Sequence, residues 1–316
     1  MRAMVITRFG GPDVFEQQET APPTPGPGEV LVRVIASGTN PVDAKIRQAG
    51  TWANIPFPAV LGYDVSGVID ALGPGVNGFN IGDEVFYTPE IFGNPNGSYA
   101  EYTVASAGIV AHKPANLSHV EAAGIPLAGG TAWEAIVRRL NVRPGETVLI
   151  HGGAGGVGSF AIQFAKAAGA RVIATASKAN HTALHELGAD VAIDYRDPDA
   201  ADQVTRETAG RGVDAAFDTA GGNVPMSTLV VRPFGRIATI LPPTGDLSAL
   251  YTKNQTLFGT FLTREGARLR EMAPLFERGQ AKVVVDAVLP LEEVAKAHER
   301  LDSGHGRGKV ILQVGR

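Results

Sequence analysis

Residues 152–158 read Gly-Gly-Ala-Gly-Gly-Val-Gly, five glycines in seven positions, and no other stretch of the chain constrains the fold as much. Each glycine in regular structure costs about 1 kcal/mol in backbone entropy relative to alanine, so such a cluster marks a backbone that turns tightly or lies against something. The flanks say which. Before it, residues 147–150 form a short apolar run. After it, Val157, Phe160, Ala161, Phe164, Ala165 and Ala168 recur at helical spacing. A strand, a Gly-x-Gly-x-x-Gly turn at Gly153, Gly155 and Gly158, and a helix opening at Gly156 and Val157 together aim unpaired amides and a positive dipole end at an anion. The predicted ligand is the pyrophosphate of a dinucleotide. The alternative is a glycine-rich turn that binds nothing.

From about residue 119 onward, apolar strands alternate with helical segments, the pattern of a doubly wound α/β domain with a parallel sheet. Strands are expected at 147–150, 172–175, 191–193, 215–217, 237–240 and 257–262, which is the six of a complete Rossmann sheet. Residues 1–118 differ: short strand-like runs at 30–37, 63–72, 83–87 and 98–105 are separated by Gly and Pro turns such as Pro25-Gly26-Pro27-Gly28. A mainly β, partly open barrel is expected there. The tail reads as strand 283–289, helix 291–301 and strand 309–314. The expected division is therefore 1–118, completed by 263–316, and 119–262.

The net charge of −4 gives no electrostatic reason to expect nucleic acid. No apolar run approaches the roughly 18 residues of a membrane span, and the first ten residues lack the core of a signal peptide. A soluble, cytoplasmic protein is expected. The chain has no cysteine, which removes thiolate nucleophiles, disulfides and cysteine-based zinc sites together.

At the end of the second strand, where a carboxylate would bind the ribose 2′-OH of NAD, the chain has Ala176-Ser177-Lys178. Lys178 can meet a 2′-phosphate with charge and Ser177 with a hydrogen bond, which favours NADPH. Lys178 as an ordinary solvated lysine is the other reading. Asn180, Tyr195 and Arg196, each after a strand end, are further candidates for the same pocket, and Ile240 closes the fifth strand on the cofactor side.

These segments, with Gly38-Thr39-Asn40-Pro41-Val42-Asp43, Leu61-Gly62-Tyr63-Asp64, Gly82-Asp83-Glu84-Val85, Gly97-Ser98-Tyr99-Ala100-Glu101-Tyr102 and Leu127-Ala128-Gly129-Gly130-Thr131, give a chain that resembles the medium-chain dehydrogenase/reductases over essentially its whole length, and in particular their quinone oxidoreductase branch. The resemblance implies a GroES-like barrel, a Rossmann domain and a cofactor cleft between them. It also implies that Asn40 occupies the loop position where the zinc enzymes of the superfamily place a cysteine ligand, and Tyr63-Asp64 the position of their Gly-His-Glu motif. No metal is therefore expected, and hydride should go to an acceptor that is already electrophilic, a quinone or an activated C=C bond.

Asn40 is the first catalytic candidate, its amide donating to a developing oxyanion; the other reading makes it an Asx-turn residue before Pro41 that packs near the cofactor ribose and so belongs to the cofactor-binding set. Tyr63 is the second, as donor or as lining of an apolar slot. Asp43 is expected to be a cap or turn residue, and Trp52 with residues 55–57 to form a substrate wall or core. Thr131 is carried as a nicotinamide contact. His181, His185, His298 and His305 are expected at the surface, and His151 in the core. Two other functions stay open, an enoyl-thioester reductase and a non-catalytic NADPH-binding protein. Finally, 256–262 should be an edge strand with neither charge nor proline, and a two-fold homodimer through it is expected.

Overall fold

The computed structural model describes residues 1–304 and 306–315, and His305 lies outside the described residues. The chain forms two compact units. One comprises Gly129–Leu262 with Gln280–Lys282; the other comprises Met1–Ala128, Thr263–Gly279 and the stretch from Val283.

The six expected strands of the first of these units are present as Thr147–His151, Arg171–Ala176, Val191–Asp194, Val213–Asp218, Val231–Thr239 and Thr256–Gly259. All neighbours pair parallel, and in local numbering the order is 3-2-1-4-5-6, the doubly wound arrangement. The central strand Thr147–His151 is buried throughout, which is why it reads as a continuous apolar run rather than an alternating one. Leu149, Ile173, Ile193, Val213, Ala216 and Ile237 share one cluster with Val204 of the helix Ala200–Glu207. The sixth strand ends earlier than expected, at Gly259 instead of residue 262. Its neighbour stops at Thr239, whose carbonyl takes a last bond from the Thr260 amide at 2.8 Å, and nothing remains beyond to pair with.

In the other unit, Glu29–Gly38 is the backbone of a seven-stranded sheet in which it pairs antiparallel with Val65–Leu72, Tyr102–Ser106 and Lys309–Gln313. Three features depart from the sequence reading. The strand expected at 98–105 begins only at Tyr102, because the amides of Ser98 and Tyr99 go instead to the carbonyls of Gly62 and Leu61, at 3.0 and 2.9 Å. Residues 41–49, where only a turn was expected, form the helix Pro41–Ala49. Pro41 suits a first helical position, and the Asp43 carboxylate caps the start by accepting the Asn40 amide at 2.9 Å. Third, His298 is not at the surface but fully buried. It lies with Val294 and Ala297 on the inward face of the helix Val294–Ser303, at the i, i+3, i+4 spacing of an amphipathic helix whose other side is charged.

The last strand positions the site described next. Lys309–Gln313 pairs with the end of Glu29–Gly38, Leu312 opposite Ser37, and the Thr39 amide bonds the Val310 carbonyl at 2.9 Å. That register sets Lys309 beside Asn40. Among the described residues no helix is long and apolar enough to cross a membrane.

Candidate active site

The glycine turn is tied to the neighbouring strand before it reaches the helix. The Gly153 amide bonds the Thr175 carbonyl at 2.9 Å, and the Gly152 amide bonds the Thr175 hydroxyl at 3.3 Å. The helix Gly156–Ala167 starts from Gly155, in extended conformation, so the amides of Gly156, Val157 and Gly158 lie in the first turn, where no intrahelical acceptor exists. The individual glycines do different work. A Cβ at Gly158 would fall 2.2 Å from the Gly152 carbonyl oxygen, so that glycine is required by close packing of turn on helix. A Cβ at Gly155 would meet nothing nearer than 3.4 Å, and its φ of −76° suits any residue, so the fold itself does not require a glycine there. A surface kept bare without structural need is what a close-lying ligand demands, and the turn fits a pyrophosphate.

At the next strand end, Asn180 Nδ2 donates to Ser177 Oγ at 3.2 Å, while Lys178 is exposed. One carboxylate missed by the sequence reading is present: Asp194 Oδ2 accepts the Lys178 amide at 3.2 Å, and bonds from the Lys178 and Arg196 amides hold its carboxyl below the ordinary range. The signal was available, since Asp194 ends a strand adjacent to the one carrying Ser177. Tyr195 is exposed, with the Arg196 guanidinium 5.4 Å from its ring centre. Ile240 is half-buried and follows Val231–Thr239, and Thr131 is buried in the helix Pro126–Trp133. His151 is buried as expected, with Nε2 3.0 Å from Ser227 Oγ, and burial pulls its pKa down to about 4.

The second group of candidates lies in the other unit and is built from side chains. Asn40 is 2% exposed. Its Nδ2 donates to Asp64 Oδ2 at 2.9 Å, and its Oδ1 accepts from Lys309 Nζ. Lys309 Nζ also donates to Asp64 Oδ2 at 2.9 Å and to the Thr39 carbonyl at 2.7 Å. Asp64 Oδ1 takes the Leu127 amide at 2.6 Å. Burial pushes the Asp64 carboxyl up, while Lys309 and Asn40 pull it down. Since every neighbour donates to it, the geometry is that of a carboxylate.

Beside this group, Asp43 Oδ2 accepts from the Tyr99 hydroxyl at 2.6 Å, and His298 Nε2 lies 3.2 Å from the same hydroxyl. Burial raises the Asp43 carboxyl to about 7 and drops His298 to about 3, so each is driven towards its neutral form. Tyr63 is completely buried, and its hydroxyl has no hydrogen-bond partner among the described residues. Burial foremost, and then the nearby Asp43, push its phenol up, so it stays an O–H donor. A buried donor with no acceptor is uncommon, and the hydroxyls of Thr88 and Thr260 share this state. Sequence reasoning gave Lys309 and Tyr99 no role in the site and expected His298 at the surface, and Trp52 is partly exposed against Phe92, ring centres 6.0 Å apart.

The side chains of this second group are the Asn40 amide, the Tyr63 and Tyr99 phenols, the Asp64 and Asp43 carboxyls, the Lys309 ammonium and the His298 imidazole, and the imidazole bonds the Tyr99 hydroxyl. Among the described residues no three His, Asp or Glu side chains are gathered as a metal site would need.

Two family models match the chain, the alcohol dehydrogenase GroES-like domain over residues 26–115 and the zinc-binding dehydrogenase model over 187–312. The NADPH-dependent alkenal/one oxidoreductase of Arabidopsis thaliana chloroplasts is 35% identical, covering 99% of this chain and 79% of that protein. Human quinone oxidoreductase is 31% identical, with 99% and 97% covered. The chain belongs to the quinone oxidoreductase branch of the medium-chain dehydrogenase/reductases. A solved NAD-dependent alcohol dehydrogenase superposes on the chain with a TM-score of 0.93 at 37% identity, covering 100% of both chains. Two of these names carry a nicotinamide dinucleotide, NADPH for the Arabidopsis enzyme and NAD for the solved alcohol dehydrogenase.

Proposed function

We propose that this chain is a zinc-independent, NADPH-dependent reductase that passes a hydride to a quinone or an enone. The observation that carries the reading is the donor set around Asn40. Zinc is held by thiolates, imidazoles and free carboxylates. Here Asp64 is bound to the Lys309 ammonium, Asp43 accepts from the Asn40 backbone amide and the Tyr99 hydroxyl, and Asn40 and Tyr63 offer hydrogen bonds instead. That chemistry can steady a developing oxyanion but cannot strongly polarise an alcohol or a simple carbonyl, so the acceptor must be electrophilic beforehand. The two relatives named for alkenal/one and quinone reduction support the same acceptor class.

Bound to the Gly152–Gly158 turn, the dinucleotide supplies the hydride. The amides of Gly156 and Val157 hold its pyrophosphate, Ser177, Lys178 and Asn180 surround its ribose end, and Thr131, Tyr195 and Ile240 complete the binding set. Lys178 supports NADPH through its charge. Asp194, whose oxygen faces the same loop, is the group that would oppose a 2′-phosphate, and its engagement by two backbone amides offsets part of that opposition. Tyr63 donates its unpaired hydroxyl to the acceptor oxygen, and Asn40 assists. Turnover of naphthoquinone, an enone and an enoyl thioester, each with NADPH and NADH, tests the reading. Quinone or enone reduction with NADPH preferred roughly 10- to 100-fold, a preference lost in Lys178→Ala, is expected from one charge-assisted contact. Preference for the thioester, or for NADH, would overturn it.

Assembly is part of the same proposal. Thr256–Gly259 is the edge of its sheet, with Phe258 half-buried and Phe261 59% exposed just beyond it. The strand carries no charge or proline to discourage pairing, which supports a two-fold homodimer through it. Sedimentation at micromolar concentration should give a dimer that Phe258→Lys dissociates, and a wild-type monomer would refute it.

A further inference from the structure

Lys309, Asp64 and Asn40 make a closed triangle of hydrogen bonds. Lys309 Nζ donates to Asn40 Oδ1 and to Asp64 Oδ2, and Asn40 Nδ2 donates to that same Asp64 oxygen. With the Thr39 carbonyl, all three ammonium hydrogens are used, and Lys309 is 3% exposed. The triangle specifies both ends of the Asn40 amide: its oxygen must face the ammonium and its nitrogen the carboxylate, so the group cannot flip. One amide hydrogen is thereby consumed. The other has only a 3.5 Å contact, with the Gly38 carbonyl, and is the one hydrogen of the triangle without a good acceptor. The ammonium on Oδ1 also draws electron density away from the nitrogen and strengthens that remaining donor.

We propose that Lys309 and Asp64 are positioning residues that act through Asn40, fixing its amide so that its second N–H, held only by the long Gly38 contact, is presented to the acceptor oxygen. The inference rests on the reading of Asn40 as a donor in the reduction, and it adds what orients and polarises that donor. An ion pair this deeply buried gives little net stability compared with an apolar pair of the same shape, so its retention calls for another role. Neither Lys309 nor Asp64 touches the acceptor in this scheme, and neither exchanges a proton.

The experiment is a mutant cycle on the full-length enzyme with NADPH and a quinone. Asn40→Ala is expected to lower kcat about 100- to 1000-fold, the range for loss of one hydrogen-bond donor to a developing charge. The double variant Asp64→Asn with Lys309→Met leaves no unpaired charge and should lower kcat about 10-fold while the NADPH dissociation constant stays within about twofold. Added to Asn40→Ala, the same pair of changes should cost nothing further, because the residue through which they act is gone. A kcat loss that multiplies with that of Asn40→Ala means the pair acts independently and overturns the inference. Full activity in the double variant overturns it too, while leaving Asn40 as a donor intact. Full activity in Asn40→Ala instead overturns the reading of Asn40 and the inference with it. Should the double variant not fold, Lys309→Arg decides: it keeps the charge but cannot reproduce the three-way contact of an ammonium, and unchanged kcat in it overturns the inference.

Discussion

The turn at Gly152–Gly158 and the cluster around Asn40 are both polar sites, but they are made of opposite materials. The turn is backbone only: amides at a helix start, left bare by glycines whose neighbours hold them in place. It offers about half a positive charge without any ionised side chain, and its members follow one another in the chain. The cluster is all side chain. Asp43, Asp64, Tyr99, His298 and Lys309 are each less than a tenth exposed, and each has a partner from a distant segment, while Asp43 Oδ1 and His298 Nδ1 have none among the described residues. A site of the first kind is cheap in desolvation and tolerant of its surroundings. One of the second kind is held only while every partner is present.

The strongest way to break this comparison is to remove one charge from the cluster. Lys309→Met leaves Asp64 buried and unpaired, and should lower unfolding free energy by about 3 to 5 kcal/mol, with most of the loss recovered when Asp64→Asn is added. Urea denaturation of both variants checks it. A single-variant loss under about 1 kcal/mol would show that the cluster relaxes as easily as the turn.

In the turn, ligand affinity and stability should separate. Gly155→Ala adds a methyl group in ordinary van der Waals contact with the Gly152 carbonyl oxygen, at 3.4 Å, and at an allowed φ, so the melting temperature should move by no more than about 2 °C. NADPH affinity should nevertheless fall about 10- to 100-fold, or about 1.4 to 2.8 kcal/mol, because the methyl group occupies the ligand's approach. Gly158→Ala is the control: its Cβ would lie 2.2 Å from a carbonyl oxygen, and stability should fall with affinity, by about 1 to 3 kcal/mol. Calorimetric titration beside thermal melts distinguishes them, and an unaltered affinity in Gly155→Ala would mean that the turn does not meet the cofactor.

The smallest effect is one of pH, and it belongs to the cluster alone. Asp43 has a folded pKa raised to about 7, so its contribution to stability is complete below its unfolded value, about 4, and is lost as pH rises to about 7. His298 is depressed to about 3, so its contribution is complete above about 6.5 and is lost as pH falls. Between about pH 4 and 6.5 the two slopes oppose one another. Asp43→Asn should therefore leave a stability that rises with pH in that window, by up to about 1.4 kcal/mol per unit, and His298→Asn one that falls. Parallel profiles in the two variants would show that the groups are not both held neutral.

What was legible in the sequence follows the same division. The six strands and their order-giving turn were readable because strand, turn and helix are local, and a run such as residues 147–150 has the same meaning wherever it folds. The helix Pro41–Ala49 was not, since it is short, opens on Asn40-Pro41, a pair that also starts turns, and draws its stability from burying Ala44 and Ile46. His298 was assigned to the surface because a histidine among charged residues carries no mark of the face it will occupy. The carboxylate at Asp194 was overlooked because its neighbour, Lys178, is 16 residues away, in the turn that follows the adjacent strand.

By itself, then, the sequence determined that a dinucleotide-type turn exists, that it opens the second helix-and-strand region, and that no cysteine can serve a metal. Those are properties of consecutive residues and of composition. Only the tertiary structure decided which side chain faces Asn40. Lys309 stands 269 residues from it and 245 from Asp64, at the start of an apolar strand where a charge looks like an ordinary strand end. Register in a sheet brings them together, Leu312 opposite Ser37, and register is fixed by the burial of a whole face rather than by any residue in the pair.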